Sequence, residues 1–129
     1  MKKGFLEEDI LLSVPKTGDI RTTKTELTYF SDKKKCVIVV PKNFKTDLGS
    51  IPLVLQNIFP KDGKATFGYI LHDYLYQTGI YNRTDSDDIL KEAMESLDVA
   101  KWRQNSVRIG LRLGGWVAWN KHRKGKMKK

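Results

Sequence analysis

The sequence predicts an α+β domain, with a small N-terminal antiparallel sheet followed by a three-helix C-terminal half. Three observations carry that expectation. Residues 18–40 are rich in Thr, Tyr, Val and Ile, the β-branched and aromatic types that pack well on a pleated surface. From Thr66 onward the apolar spacing becomes helical. Between these stretches Pro41, Gly49, Pro52, Pro60 and Gly63 interrupt both periods.

Taken in order, the 18–40 stretch holds turn material at SDKKK before VIVV and reads as two or three antiparallel strands. The punctuated region leaves room for one short helix, PLVLQNIF, with Ser50 as its cap and Pro52 in its first turn. The first long helix spans 66–78 and stops at Gly79, the residue best suited to the left-handed conformation that ends a helix. A second begins near Ser86, with Thr84 or Asp85 as cap, and a third runs from about Ala100 to Trp119. Residues 1–120 form a single domain on this reading, and residues 121–129 a basic C-terminal tail.

The length of 129 residues suits one hydrophobic core. No apolar run approaches the roughly 20 residues needed to span a bilayer. Glu7, Glu8 and Asp9 interrupt the N-terminus, so no signal peptide is expected. The single cysteine, Cys36, reads as a buried strand thiol; it has no partner for an intrachain disulfide, and a cysteine-based zinc site is excluded. The net charge of +9 is unevenly placed: residues 1–98 hold 14 Lys/Arg and 15 Asp/Glu, residues 99–129 hold 10 Lys/Arg and no acid. That asymmetry favours a polyanion, either nucleic acid or an anionic membrane surface, or serves as a solubilising tail.

Chemistry concentrates in ILHDYLYQTG, residues 70–79. His72 and Tyr76 are four apart and share a helix face, whereas Asp73 points about 100° away. A histidine acting as general base needs its other ring nitrogen held by an acceptor. Asp87, Asp88, Asp85 and Asp47 are the candidates for that acceptor. His72 lies about 10 Å from the end of its helix at 1.5 Å per residue. The linker from Gly79 to Asp85 spans at most about 20 Å, so Asp87 can return alongside it. Acids at 85, 87 and 88 are also favoured simply by a helix N-terminus. In NFKTDLGSIP, Thr46 and Asp47 precede a glycine, and Asp47 is either a turn residue or an oxygen ligand.

TDLGSIP, LHDYLY, RTDSDDILKEAM and VRIGLRLGGWVAW, in that order, resemble the successive signatures of domain-of-unknown-function family 1353, found mainly in tailed-phage and prophage genomes. The resemblance covers about residues 36–119 and points to Thr46, Asp47, Ser50, Pro52, His72, Asp73, Tyr76, Arg83 and Asp87. It implies a phage protein, located in the host cytoplasm or the virion, and brings no reaction with it. The string H-D-x-x-Y, followed by an aspartate on the next antiparallel helix, is also similar to the catalytic helices of secreted phospholipase A2 enzymes. That resemblance implies a water activated by His72, whose imidazole Asp87 orients, with Tyr76 bonded to the aspartate and Ca2+ bound by Asp73; Asp47, read as an oxygen ligand, is the candidate to join it. No paired cysteines flank His72, however, and TDLGSIP is not a glycine-rich calcium loop. A zinc hydrolase using His72, Asp73, Asp47 and Asp87 is a further option, although so few histidines favour calcium or magnesium.

In the C-terminal segment Gly110 and Gly114 permit close helix approach, and Trp102, Trp116 and Trp119 supply apolar anchors for the domain's own core. Arg103, Arg108, Arg112, Lys121, Arg123 and Lys124 offer a cationic surface for a polyanion or a phage structural protein. No nucleic-acid readout motif is present, so such contact would be nonspecific. Two functions follow from these residues: a His-Asp hydrolase acting on acyl esters, with His72 and Asp87 meeting in an apolar cleft, or a non-catalytic virion (tail or neck) or assembly component whose basic end meets a partner.

Overall fold

A computed structural model of the chain describes residues 2–16, 20–46 and 65–127, and within the last stretch the side chains of 65–109 and 119–123. The expected helix at 52–59, and with it Asp47, Ser50 and Pro52, lies outside the described residues. Among the described residues six strands precede three helices: β1 Gly4–Phe5, β2 Leu12–Ser13, β3 Arg21–Thr23, β4 Leu27–Ser31, β5 Cys36–Val40, β6 Lys45–Thr46, α1 Thr66–Thr78, α2 Arg83–Ser96 and α3 Lys101–Met127. The α+β class and the order of sheet and helices are as the sequence predicts. The β half is wider than the 18–40 stretch, forming two three-stranded antiparallel sheets, β1-β4-β5 and β2-β3-β6. The added strands are two residues long, too short for an alternating pattern to mark them.

The β4–β5 hairpin supplies the sheet side of the core. Leu27 and Tyr29 of β4 and Ile38 and Val40 of β5 are buried, while Val37 and Val39 alternate outward. Against them pack Ile70, Leu71 and Leu75 of α1 and Ile89, Leu90, Ala93 and Met94 of α2, all within 2% of full burial. Each leucine, isoleucine or methionine among them contributes about 1.5–3 kcal/mol relative to exposure.

Acids on α2 secure the hairpin tip. Glu92 accepts from the Tyr29 hydroxyl at 2.7 Å and from the backbone N–H groups of Asp32 (3.2 Å) and Lys33 (2.9 Å). Asp88 and Asp85, one and two turns earlier, meet the lysines of the same turn: Lys34 Nζ stands 2.5 Å from Asp85, and Lys33 Nζ lies 3.4 Å from Asp85 and 3.3 Å from Asp88. The acid cluster at the start of α2 thus reads a lysine turn as well as a helix terminus. Cys36, in the pair that closes the hairpin turn, is half-buried, not fully buried as expected, and its Sγ lies 3.0 Å from the Tyr81 hydroxyl. That contact pushes the Tyr81 phenol up to about 12.

Helix ends follow local chemistry. Gly79 adopts φ +64 at the end of α1 and donates to the Leu75 carbonyl at 2.9 Å. The second helix begins at Arg83 and not near Ser86, because Asn82 is its cap and accepts from the Asp85 N–H at 2.7 Å. α2 ends with Asp98 at φ +58 and Val99 N–H reaching back to the Met94 carbonyl at 3.0 Å, a Schellman-type closure without glycine. The third helix continues past the expected Trp119 to Met127, so the basic segment is helical through that residue. No helix among the described residues is long and apolar enough to cross a membrane.

Two outcomes test these contacts. Glu92→Ala leaves the buried Tyr29 hydroxyl and two turn amides without their acceptor and lowers unfolding free energy by about 1–3 kcal/mol in urea titration; a loss below about 0.5 kcal/mol would contradict the clamp. The Lys34 ammonium, bonded to Asp85, holds that carboxyl below its ordinary value of 3.8. The resulting stabilisation is present above that value and lost as pH falls through the lower folded value. Asp85→Asn therefore flattens the acid limb of the stability–pH curve below about pH 4 and leaves the pH-dependence near neutrality unchanged.

Candidate functional site

The site is built where α1 and α2 run antiparallel. Gly68 makes their close approach possible: a Cβ there would sit 3.3 Å from Leu90 Cδ1 and 3.8 Å from Met94 Cγ. One turn further along α1, His72 faces Asp87, and one turn beyond that Tyr76 reaches the same aspartate. His72 Nε2 lies 2.8 Å from Asp87 Oδ1, and the Tyr76 hydroxyl donates to that same oxygen at 2.6 Å. Of the four carboxylates the sequence offers as partners, Asp87 takes the role, while Asp85 and Asp88 face the lysine turn. An ionised carboxylate can only accept, so the neutral imidazole carries its proton on Nε2 and keeps its lone pair on Nδ1.

Burial shapes the electrostatics. His72 is 4% exposed and Asp73 7%, whereas the Asp87 side chain retains 14%. The Tyr76 phenol is pushed well above its ordinary range, first by burial and then by its bond to Asp87; the Arg83 guanidinium, beside the same hydroxyl, opposes the shift. Tyr69, on the preceding turn, is pushed up to about 12 by burial. The imidazole also packs on the Tyr76 ring, with centroids 4.2 Å apart.

A pocket of about 150 Å³ adjoins the pair on its α2 side, lined by Arg83, Thr84, Asp87, Asp88 and Arg108. It is polar, unlike the apolar cleft the sequence suggested, and His72 is not among its lining residues. Arg108 lies 3.6 Å from Asp88 across it.

The other expected residues divide. Thr46, buried in β6, is held near α1: the Gln77 side-chain amide donates to the Lys45 carbonyl at 3.1 Å, and Phe44 packs edge-on against Tyr74 at 5.4 Å. The buried Thr23 secures this approach, accepting from Phe44 N–H at 2.9 Å and donating to the Pro41 carbonyl at 2.8 Å. Its side chain is an unremarked threonine in a strand, and no sequence signal distinguishes it. Asp73 occupies the helix face next to that of His72. Among the described residues no three His, Cys, Asp or Glu side chains converge on one point. Calcium takes six to eight oxygens, and Asp47, the other oxygen ligand expected beside Asp73, lies outside the described residues. Arg103 is exposed and stacks on Trp102 at 5.3 Å, and Lys121 is exposed. Arg123 instead turns inward, donating to the Tyr76 and Gln77 carbonyls at 2.8 and 3.1 Å. The side chains of Arg112 and Lys124 lie outside the described residues.

No curated protein and no solved structure matches the chain. The family described as "Protein of unknown function (DUF1353)" matches residues 22–110, a span that takes in β4 to β6, α1, α2 and the His72–Tyr76–Asp87 cluster. With that family covering more than half its length, the chain belongs to DUF1353.

Proposed function

We propose that this chain is a phage-encoded hydrolase in which His72 is the general base and Asp87 its orienting carboxylate, with acyl esters as the substrate class. The observation that carries the reading is the 2.8 Å bond from His72 Nε2 to Asp87 Oδ1, which leaves Nδ1 as the basic nitrogen. A water would give its proton to Nδ1 while its oxygen attacks the ester carbonyl. The tetrahedral adduct then collapses, the C–O bond to the alcohol breaks, and the proton passes from Nδ1 to the departing alkoxide. Asp87 stays ionised throughout and stabilises the imidazolium. Tyr76, by bonding to the same oxygen, fixes the carboxylate while His72 changes charge. The adjoining pocket, lined by Arg83 and Arg108 with Asp87 and Asp88, offers polar groups of both signs beside the pair. On the phospholipase A2 resemblance Asp73 would hold Ca2+, with Asp47 as a candidate second oxygen ligand, and the ion would stabilise the oxyanion.

One observation favours a second reading. His72 is 4% exposed and packed against the Tyr76 ring, as in a polar centre that fixes a fold. On that reading the chain is a non-catalytic virion or assembly component, and its basic helix meets a phage structural protein or packaged nucleic acid.

Fatty-acid release from mixed phospholipid vesicles, with and without calcium, separates the two. A hydrolase gives release by wild type and a loss of about 10²–10⁴-fold in His72→Ala and Asp87→Asn, with circular dichroism unchanged. No release from folded wild type, together with a His72→Ala variant that is about 1–3 kcal/mol less stable, would overturn the hydrolase and favour the structural role.

A further inference from the structure

The basic end of α3 reaches the site through two side chains that the polar cluster itself does not contain. Trp119 lies edge-on to the Tyr76 ring at 5.3 Å, and the Arg123 guanidinium stacks on Trp119 at 4.4 Å. The same guanidinium donates to the carbonyls of Tyr76 and Gln77, in the last turn of α1 where no intrahelical N–H serves them. Gly79 leaves the space it occupies: a Cβ at that position would fall 2.1 Å from Arg123 Nη1. Four side chains thus stand in contact in sequence, His72 on Tyr76, Tyr76 on Trp119 and Trp119 on Arg123, and Arg123 closes the set on the backbone of Tyr76 itself.

The phenol that this end of α3 grips is the one bonded to Asp87 Oδ1. A cation on the last carbonyls of α1 also complements the negative end of the helix dipole, and a planar guanidinium can meet two carbonyls and an indole face at once. We propose that Arg123, with Trp119, is a positioning residue for the His72–Asp87 pair: by fixing the backbone and ring of Tyr76 it fixes the Asp87 carboxylate, and through it the tautomer and aim of the imidazole. In this position Arg123 is a component of the site's architecture and not a surface cation awaiting a polyanion.

The inference rests on the proposed role of His72, but its test needs no turnover. Nitrogen NMR of the full-length protein reads which imidazole nitrogen carries the proton, and the chain's two histidines are told apart with a His122→Asn variant. Wild type shows His72 with the proton on Nε2. Arg123→Gln, which keeps a donor but loses the charge and the fork, raises the other tautomer about fivefold, as expected for losing one ordinary hydrogen-bond contribution. Arg123→Lys restores part of the wild-type signal, and Trp119→Leu moves it in the same direction as Arg123→Gln. A residue that merely holds the helix end would lower the melting temperature and leave the tautomer alone. Folded Arg123→Gln and Trp119→Leu variants with the wild-type tautomer would overturn the proposal. Absence of fatty-acid release in the vesicle assay would overturn only the hydrolase reading.

Discussion

One carboxylate oxygen, Asp87 Oδ1, receives both His72 and Tyr76, and the helical half of the domain is arranged around that shared acceptor. Its position depends on the antiparallel pairing of α1 and α2, which Gly68 lets close, and on the cap at Asn82, which starts α2 early enough to bring residue 87 level with residue 72. Placing a histidine, a tyrosine and a carboxylate in a nearly dry layer is costly unless each donor and acceptor is matched. Sharing one oxygen achieves that match with few groups and makes the three side chains a coupled unit.

Around this unit the structure adds two tethers from opposite ends of the chain. The β4–β5 hairpin is held to α2 through Glu92, Asp85 and Asp88, which flank Asp87 along the helix but meet the hairpin and not His72. The far end of α3 is held to α1 through Trp119 and Arg123. The sheet side therefore fixes α2, the C-terminal helix fixes α1, and the His72–Asp87 bond lies between the two fixed elements. A general base gains from such rigidity, since proton transfer requires the imidazole to keep one orientation through the reaction.

Much of this was legible in residues alone. The span 66–78, its stop at Gly79 and the reach of Asp87 to His72 follow from helical period, glycine's access to positive φ and the linker length. The start of α2 was missed because Asn82 precedes a run of acids that imitates a later first turn. The length of α3 was missed because a cluster of lysines after Trp119 reads as a tail, and what keeps it helical includes an arginine folded onto another helix, a contact that only tertiary structure reveals. Glu92 and Thr23 carry no motif; their value comes from partners some 60 and 20 residues away in sequence. Lys33, Lys34, Asp85 and Asp88 carry charges whose pairing could not be chosen without knowing that the hairpin tip lands on α2.

The most direct test of the shared-acceptor account is a double-mutant cycle between His72→Gln and Tyr76→Phe, followed by urea unfolding. Two donors on one carboxylate oxygen predict that the double variant departs from the sum of the single effects by about 0.5–3 kcal/mol. Additivity within about 0.3 kcal/mol would contradict it, showing that His72 and Tyr76 act independently and that Asp87 does not bind them as one unit.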